Sequence, residues 1–223
     1  MTVLRVLAAI GVFTFVIGPA GADDAAKAKA KDTTWRFDGD TPDKPPAGFS
    51  FGRTGGGKEG KWLVLAVKDA PSGGNVLAQV DADKTDYRFP VAIADAPSLA
   101  DVAFSVKCKA VSGQVDQGCG LVFRYQDPDN YYVTRANSLE DNVRLYFVKN
   151  GNRQQIKSWS GKVKPGVWHD YKVEAKGDHL VVTFDGKQVI DAIDKTFTQA
   201  GKVGVWTTAD SVIYFDDLRV EPR

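Results

Sequence analysis

Gly120-Leu-Val-Phe-Arg-Tyr-Gln-Asp-Pro-Asp-Asn-Tyr-Tyr-Val-Thr-Arg-Ala-Asn137, followed by Asn142-Val-Arg-Leu-Tyr-Phe-Val-Lys-Asn-Gly151, is the stretch that decides the fold. Val143, Leu145 and Phe147 alternate with Arg144 and Tyr146, the period of two that marks a half-buried strand. Asp127-Pro-Asp-Asn130 separates two such runs and has the composition of a type I turn with Pro at its second position. Asn150-Gly151 lies between Val148 and Gln154, and Asp185-Gly186 between Phe184 and Val189. Both dipeptides suit two-residue hairpin turns, which need positive φ at the central positions.

Outward from this segment the same rhythm holds. Turn residues recur every 8 to 12 positions after Trp35, the spacing of an antiparallel sandwich or barrel. The clearest strands are Trp62 to Val67, Val76 to Gln79, Asp101 to Lys107, Leu121 to Tyr125, Tyr131 to Arg135, Val143 to Val148, Trp168 to Ala175, Leu180 to Phe184, Lys202 to Thr207 and Val212 to Val220. No long amphipathic helix interrupts them. The 28 acidic residues are 24 Asp and 4 Glu, which together with 22 Gly and 10 Pro favours turns over helices.

With 43% apolar residues the chain can bury one sizeable core as a single domain. Its 29 basic and 28 acidic residues nearly cancel, so no field is available to hold a nucleic acid or an acidic membrane. A monomer without a nucleic-acid partner is expected.

Residues 1–22 read as a signal peptide: Arg5 precedes the apolar run Val6 to Ile17, Gly18-Pro19 breaks it, and Ala20-Gly21-Ala22 has the small-x-small cleavage pattern. The run is too short for a membrane span. Residues 23–34, DDAAKAKAKDTT, read as a linker, leaving 35–223 as the domain of an exported protein, periplasmic or extracellular.

Most chemical motifs fail. Gly55 to Trp62 satisfies the spacing of a phosphate-binding loop, yet Trp62 stands where Ser or Thr would hold magnesium, and a strand follows instead of a helix. His169 and His179 fall on different strands without Cys or Glu at ligand spacing, so no metal is expected. No GxSxG elbow is present. A Glu-x-Asp-x-x-Glu glycosidase strand cannot be written with Glu only at 59, 140, 174 and 221. Asp216-Asp217 point to opposite faces of a regular strand and read as turn or rim residues. Calcium is the one weak cofactor candidate: Asp127, Asp129 and Asn130 with Asn137, Glu140, Asp141 and Asn142 supply enough oxygen donors if the two loops meet. A type I turn with Pro at its second position and a solvated acidic loop are the favoured reading.

Cys108 and Cys119 are expected to form a disulfide. Folding the intervening segment as a hairpin with the cysteines opposed pairs Val106 with Leu121, Phe104 with Phe123 and Val102 with Tyr125 on one apolar face. In an exported protein such a bridge persists.

If Leu121, Phe123, Tyr125, Tyr131, Val133, Val143, Leu145 and Phe147 form the buried series, the alternates Arg124, Tyr132, Thr134, Arg144 and Tyr146 share the other surface. Guanidinium forks and flat phenol rings are what sugar recognition uses. They also cover exposed sheets in any sandwich. Arg124, Tyr132, Arg144 and Tyr146 are the candidate ligand residues; no catalytic residue is assigned. Trp159 and Trp206 fit a cleft rim or the core alike.

The run Gly120 to Asn137, Asn142 to Tyr146, Trp168-His169, Asp185-Gly186, Gly201-Lys-Val-Gly-Val-Trp206 and Tyr214-Phe-Asp-Asp-Leu218 resembles the 3-keto-disaccharide hydrolase domain family of the concanavalin A-like lectin and glucanase superfamily. The resemblance implies an all-β jelly roll of two antiparallel sheets whose curved face meets carbohydrate. It also implies hydrolytic or lyase-type cleavage of keto-glycosides in some members, with a non-catalytic glycan-binding module as the alternative.

Overall fold

The computed structural model describes residues 31–223, so the expected signal peptide and most of the expected linker lie outside the described residues. Within them the chain forms fifteen strands and no helix. The first eight are β1 (Thr33–Trp35), β2 (Phe49–Gly55), β3 (Trp62–Ala66), β4 (Asn75–Gln79), β5 (Arg88–Ala94), β6 (Val102–Ser112), β7 (Gly118–Asp127) and β8 (Asn130–Asn137). The remainder are β9 (Asn142–Lys149), β10 (Asn152–Ser160), β11 (His169–Lys176), β12 (His179–Phe184), β13 (Lys187–Ile193), β14 (Lys202–Thr207) and β15 (Val212–Pro222). The strands anticipated from periodicity all form, and β1, β2, β5, β10 and β13 join them. Thr33 and Thr34, at the end of the expected linker, belong to β1.

Two antiparallel sheets make a jelly-roll sandwich. One runs β13-β12-β11-β6-β15-β4-β3 with β1 beside the far half of β15; the other runs β10-β9-β8-β7-β14-β5-β2. Asn150 and Gly151 take φ values of 51° and 75°, Asp185 and Gly186 of 47° and 76°. Those left-handed pairs close the β9–β10 and β12–β13 hairpins as their sequences imply.

Between the sheets, Val102, Phe104 and Val106 of β6 and Tyr171 and Val173 of β11 meet Leu121, Phe123, Tyr132, Leu145 and Val205 of the other layer. Cys108 and Cys119 are bonded, but β6 and β7 are not a hairpin pair. The strand β6 pairs with β11 and β15, and β7 with β8 and β14. The bridge therefore crosses the sandwich. Two strands that each turn alternate residues toward one core give the same apolar matching as two strands in a hairpin.

A second apolar cluster covers the outer face of the seven-stranded sheet. Phe89, Val91, Val122, Tyr131, Val133, Tyr146 and Trp206 gather there. That sheet is thus apolar on both sides near its middle, and polar groups appear at one end of the cluster.

Candidate functional site

Register builds the site. Trp206 of β14 pairs with Gly120 of β7, Gly120 with Arg135 of β8, and Arg135 with Arg144 of β9. These four positions form one row on the outer face, and Val133 and Tyr146 lie in the next. Gly120 is required: a Cβ there would come within 2.8 Å of the Trp206 ring, which lies across the position.

The turn after β8 then folds an acid over the row. Asn137 Oδ1 accepts the backbone N–H groups of Leu139 (2.9 Å) and Glu140 (3.3 Å), and Asp141 takes a positive φ of 51°. Glu140 Oε2 consequently accepts from Arg135 Nη2 at 2.9 Å and Asn142 Nδ2 at 2.9 Å and lies 3.0 Å from Arg144 Nη2. Burial raises its pKa, but Asn142, Arg135 and Arg144 outweigh that effect and hold the carboxyl below its ordinary value. Arg135 also gives Nη1 to Asn142 Oδ1 at 2.9 Å. Its Nε is buried without an acceptor. The Tyr146 hydroxyl receives Arg135 at 3.4 Å and Arg144 at 3.5 Å.

Two further groups complete the arrangement. Asp116, in the β6–β7 loop, accepts from Asn137 Nδ2 and from the Gln117 N–H, and burial pushes its carboxyl pKa up. Arg153 of β10 lies with its guanidinium 4.4 Å from the Phe89 ring centre, 4.7 Å from that of Tyr146 and 5.8 Å from that of Trp206. Leu139 and Val115 are exposed beside this polar patch.

Of the four residues expected on one face, Arg144 and Tyr146 share the outer face, Arg144 part-exposed and Tyr146 buried in the outer cluster. Arg124 and Tyr132 do not join them, which corrects the assignment of faces. Arg124 sits in a bulge with φ of 49°. Its fully buried guanidinium donates to the carbonyls of Ala100 (2.7 Å), Phe197 (2.7 Å) and Gly177 (2.6 Å). Tyr132 points into the core, stacked on Phe123 at 5.1 Å, with its hydroxyl on Asp194 and the Phe197 N–H. Arg135, Glu140, Asp116 and Arg153 take their place. Trp206 is fully buried in the outer cluster, while Trp159 is half-buried and packs against the main core.

The calcium donors do not gather. Asp127 and Asn130 lie at one end of β8, and Asn137 and Glu140 at the other. Among the described residues no group of three His, Cys, Asp or Glu side chains is placed to hold a metal ion. His169 bonds Asp185 at 2.7 Å and the Lys164 carbonyl at 2.8 Å, a buried structural histidine. Asp216 accepts from Ser72 and the Asp217 N–H at a bulge of β15, which binds the loop before β4 to the sheet.

A cleft of about 690 Å³ lies across the outer face of the eight-stranded sheet. Its charges are already matched: Arg36 with Asp217 at 3.1 Å, Lys107 with Asp170 at 2.5 Å, Arg219 with Asp32 at 3.1 Å. On the opposite face the guanidinium of Arg153 stands outside any ion pair among the described residues.

Known proteins share this architecture. Residues 79–221 match the family described as the 3-keto-alpha-glucoside-1,2-lyase-like domain. A levanase of Bacillus subtilis (strain 168) is 29% identical over 109 residues, 47% of this chain and 16% of the levanase. The chain thus spans a small part of that relative's length. The carbohydrate-binding module CBM66 from Bacillus subtilis superposes with a TM-score of 0.60 at 22% identity, covering 78% of this chain and 95% of the module. A protein of unknown function with a galectin-like fold from Bacillus subtilis superposes at 0.53 and 11% identity, covering 78% of this chain and 90% of its own.

Proposed function

Because the chain belongs to the family of 3-keto-alpha-glucoside-1,2-lyase-like domains, whose model covers more than half of it, we propose that the outer face around Arg144 and Tyr146 binds carbohydrate as a glycan-binding module. The arrangement of Arg135, Arg144, Tyr146 and Glu140 carries this reading. Arg144 and Glu140 are part-exposed as guanidinium donor and carboxylate acceptor, and the buried Arg135 and Tyr146 hold them from beneath, beside exposed Leu139. Such sets match the vicinal hydroxyls and C–H faces of a sugar ring. The sugar-related relatives, a levanase and CBM66, support the same assignment.

Glu140 is engaged by three donors and held ionised, which suits an acceptor of sugar hydroxyls better than a proton donor. A glycan array followed by calorimetric titration tests the reading. Arg144→Ala and Tyr146→Phe, the latter chosen because Tyr146 is buried in the outer cluster and only its hydroxyl can be removed without a cavity, should each weaken binding by roughly 1 to 3 kcal/mol while the melting temperature stays nearly constant. Parent-like affinity in both variants places the ligand elsewhere.

One observation favours cleavage as a second reading: burial raises the pKa of the Asp116 carboxyl, the direction a general acid needs. Product analysis with the parent and Asp116→Asn separates the two. Turnover lost in the variant with binding retained supports cleavage; no turnover in the parent supports the module.

The protein is proposed to act after export. The run Val6 to Ile17, the Ala20-Gly21-Ala22 site and the Cys108–Cys119 bridge support this, and N-terminal sequencing of exported protein should return Asp23. Among the described residues no helix is long and apolar enough to cross a membrane.

A further inference from the structure

Arg153 is the group in this site that its neighbours leave uncompensated. Arg135 and Arg144 share Glu140. Arg153 has neither ion pair nor side-chain hydrogen bond among the described residues, although its guanidinium lies against Phe89, Tyr146 and Trp206. Rings of this kind strip water from a cation without supplying a counter-charge, so the remaining donors gain more from an anion than from a hydroxyl.

The side chain is also held in place. Its backbone N–H donates to the Tyr87 hydroxyl at 2.8 Å, and that hydroxyl donates to the Gly151 carbonyl at 3.0 Å. Tyr87 packs edge-on against Phe89 at 4.6 Å. A fixed, half-buried guanidinium fork is therefore presented beside the Arg144–Tyr146 pair. The acid nearest to closing the charge account, Asp116, instead turns to Asn137 and the Gln117 N–H. Three guanidiniums then face two carboxylates.

We infer that the site is built for an acidic saccharide, a uronate whose carboxylate docks on Arg153 while its ring lies toward Arg144 and Tyr146. This rests on the glycan-binding reading and adds the charge of the ligand to it. A carboxylate matches the guanidinium fork in plane and spacing, and a neutral sugar presents no such group.

The test compares trigalacturonate and trimannuronate with their methyl esters, which keep the rings and remove the charge, by calorimetric titration. A neutral glycan identified on an array serves as the third ligand. At least one acid should bind the parent roughly tenfold tighter than its ester, the value expected for one charge-assisted contact. The ratio should shrink as salt is raised. In Arg153→Gln the ratio should fall toward one; in Arg153→Lys, which keeps the charge and loses the fork, it should lie between. Equal affinity for acids and esters in the parent overturns the inference, and needs no variant to fold. An acid preference that survives in folded Arg153→Gln overturns it too. If the neutral glycan binds without any acid preference, this inference fails and the glycan-binding reading stands. If no saccharide binds, both fail.

Discussion

Arg135 and Arg144 stand directly opposite each other on β8 and β9, two guanidiniums in one register pair, and Glu140 Oε2 lies 2.9 Å from one and 3.0 Å from the other. Like charges in that relationship repel. A carboxylate carried by the connecting turn makes the pairing stable and keeps both side chains aimed outward.

Removing that charge should cost stability in a pH-dependent way. Glu140→Gln is expected to lower unfolding free energy by about 1 kcal/mol at pH 7, discounted for the partial exposure of Glu140. Since the folded pKa lies below the unfolded one, the contribution is complete above roughly pH 4.3 and is lost as pH falls through the folded value. Urea denaturation at pH 7 and pH 3 checks this. The variant's deficit should shrink in acid, and Glu140→Gln with Arg144→Gln should recover part of it at pH 7.

Arg124 should be a stability residue alone. Arg124→Met leaves the buried Phe197 carbonyl and the part-buried bonds to the Ala100 and Gly177 carbonyls without their donor, and removes the 3.6 Å pair with Asp101. We expect a loss of about 3 to 5 kcal/mol in chemical denaturation. Glycan affinity measured below the unfolding transition should match the parent.

The cross-sandwich bridge closes a short loop, with a sequence separation of 11 residues. In the chain-entropy model, the double variant Cys108→Ala/Cys119→Ala should be less stable by about 2 to 3 kcal/mol. Equal denaturation midpoints for the variant and the oxidised parent would contradict it.

Gly120→Ala tests how the row is assembled. The added methyl group meets Trp206 and should displace the ring, altering near-ultraviolet circular dichroism. Overpacking of this kind costs about 1 to 3 kcal/mol, and a disturbed Trp206 would shift its neighbour Arg153 and weaken glycan binding.

Much of the sandwich was legible in the sequence because β11 alternates cleanly, Val143, Arg144 and Leu145 alternate on β9, and two hairpins carry their turn dipeptides. The site was legible only in part. On β8, Tyr131, Tyr132 and Val133 are all fully buried, so a period of two cannot say which parity faces the core when both faces are covered. That is why the sequence pattern sets Tyr132 on the outer face and does not single out Arg135. The bulge at Arg124 has no signature in its residue types. Arg153 lies on β10, whose sequence Asn152–Ser160 shows little apolar alternation. Cysteine pairing succeeded for a different reason: the matched apolar faces that suggested a hairpin are equally satisfied across the core.

The pairing of β1 with β15 sets Thr33 opposite Val220. Chain entering and leaving the described fold therefore does so side by side, along the sheet that faces away from Arg144, Arg153 and Tyr146. Tethering through either end would hang the domain from its back and leave the face of Arg144 and Arg153, proposed above to meet glycan, pointing outward. Joining the ends by a short peptide and reopening the chain at another exposed hairpin should yield a permuted molecule with the same face intact.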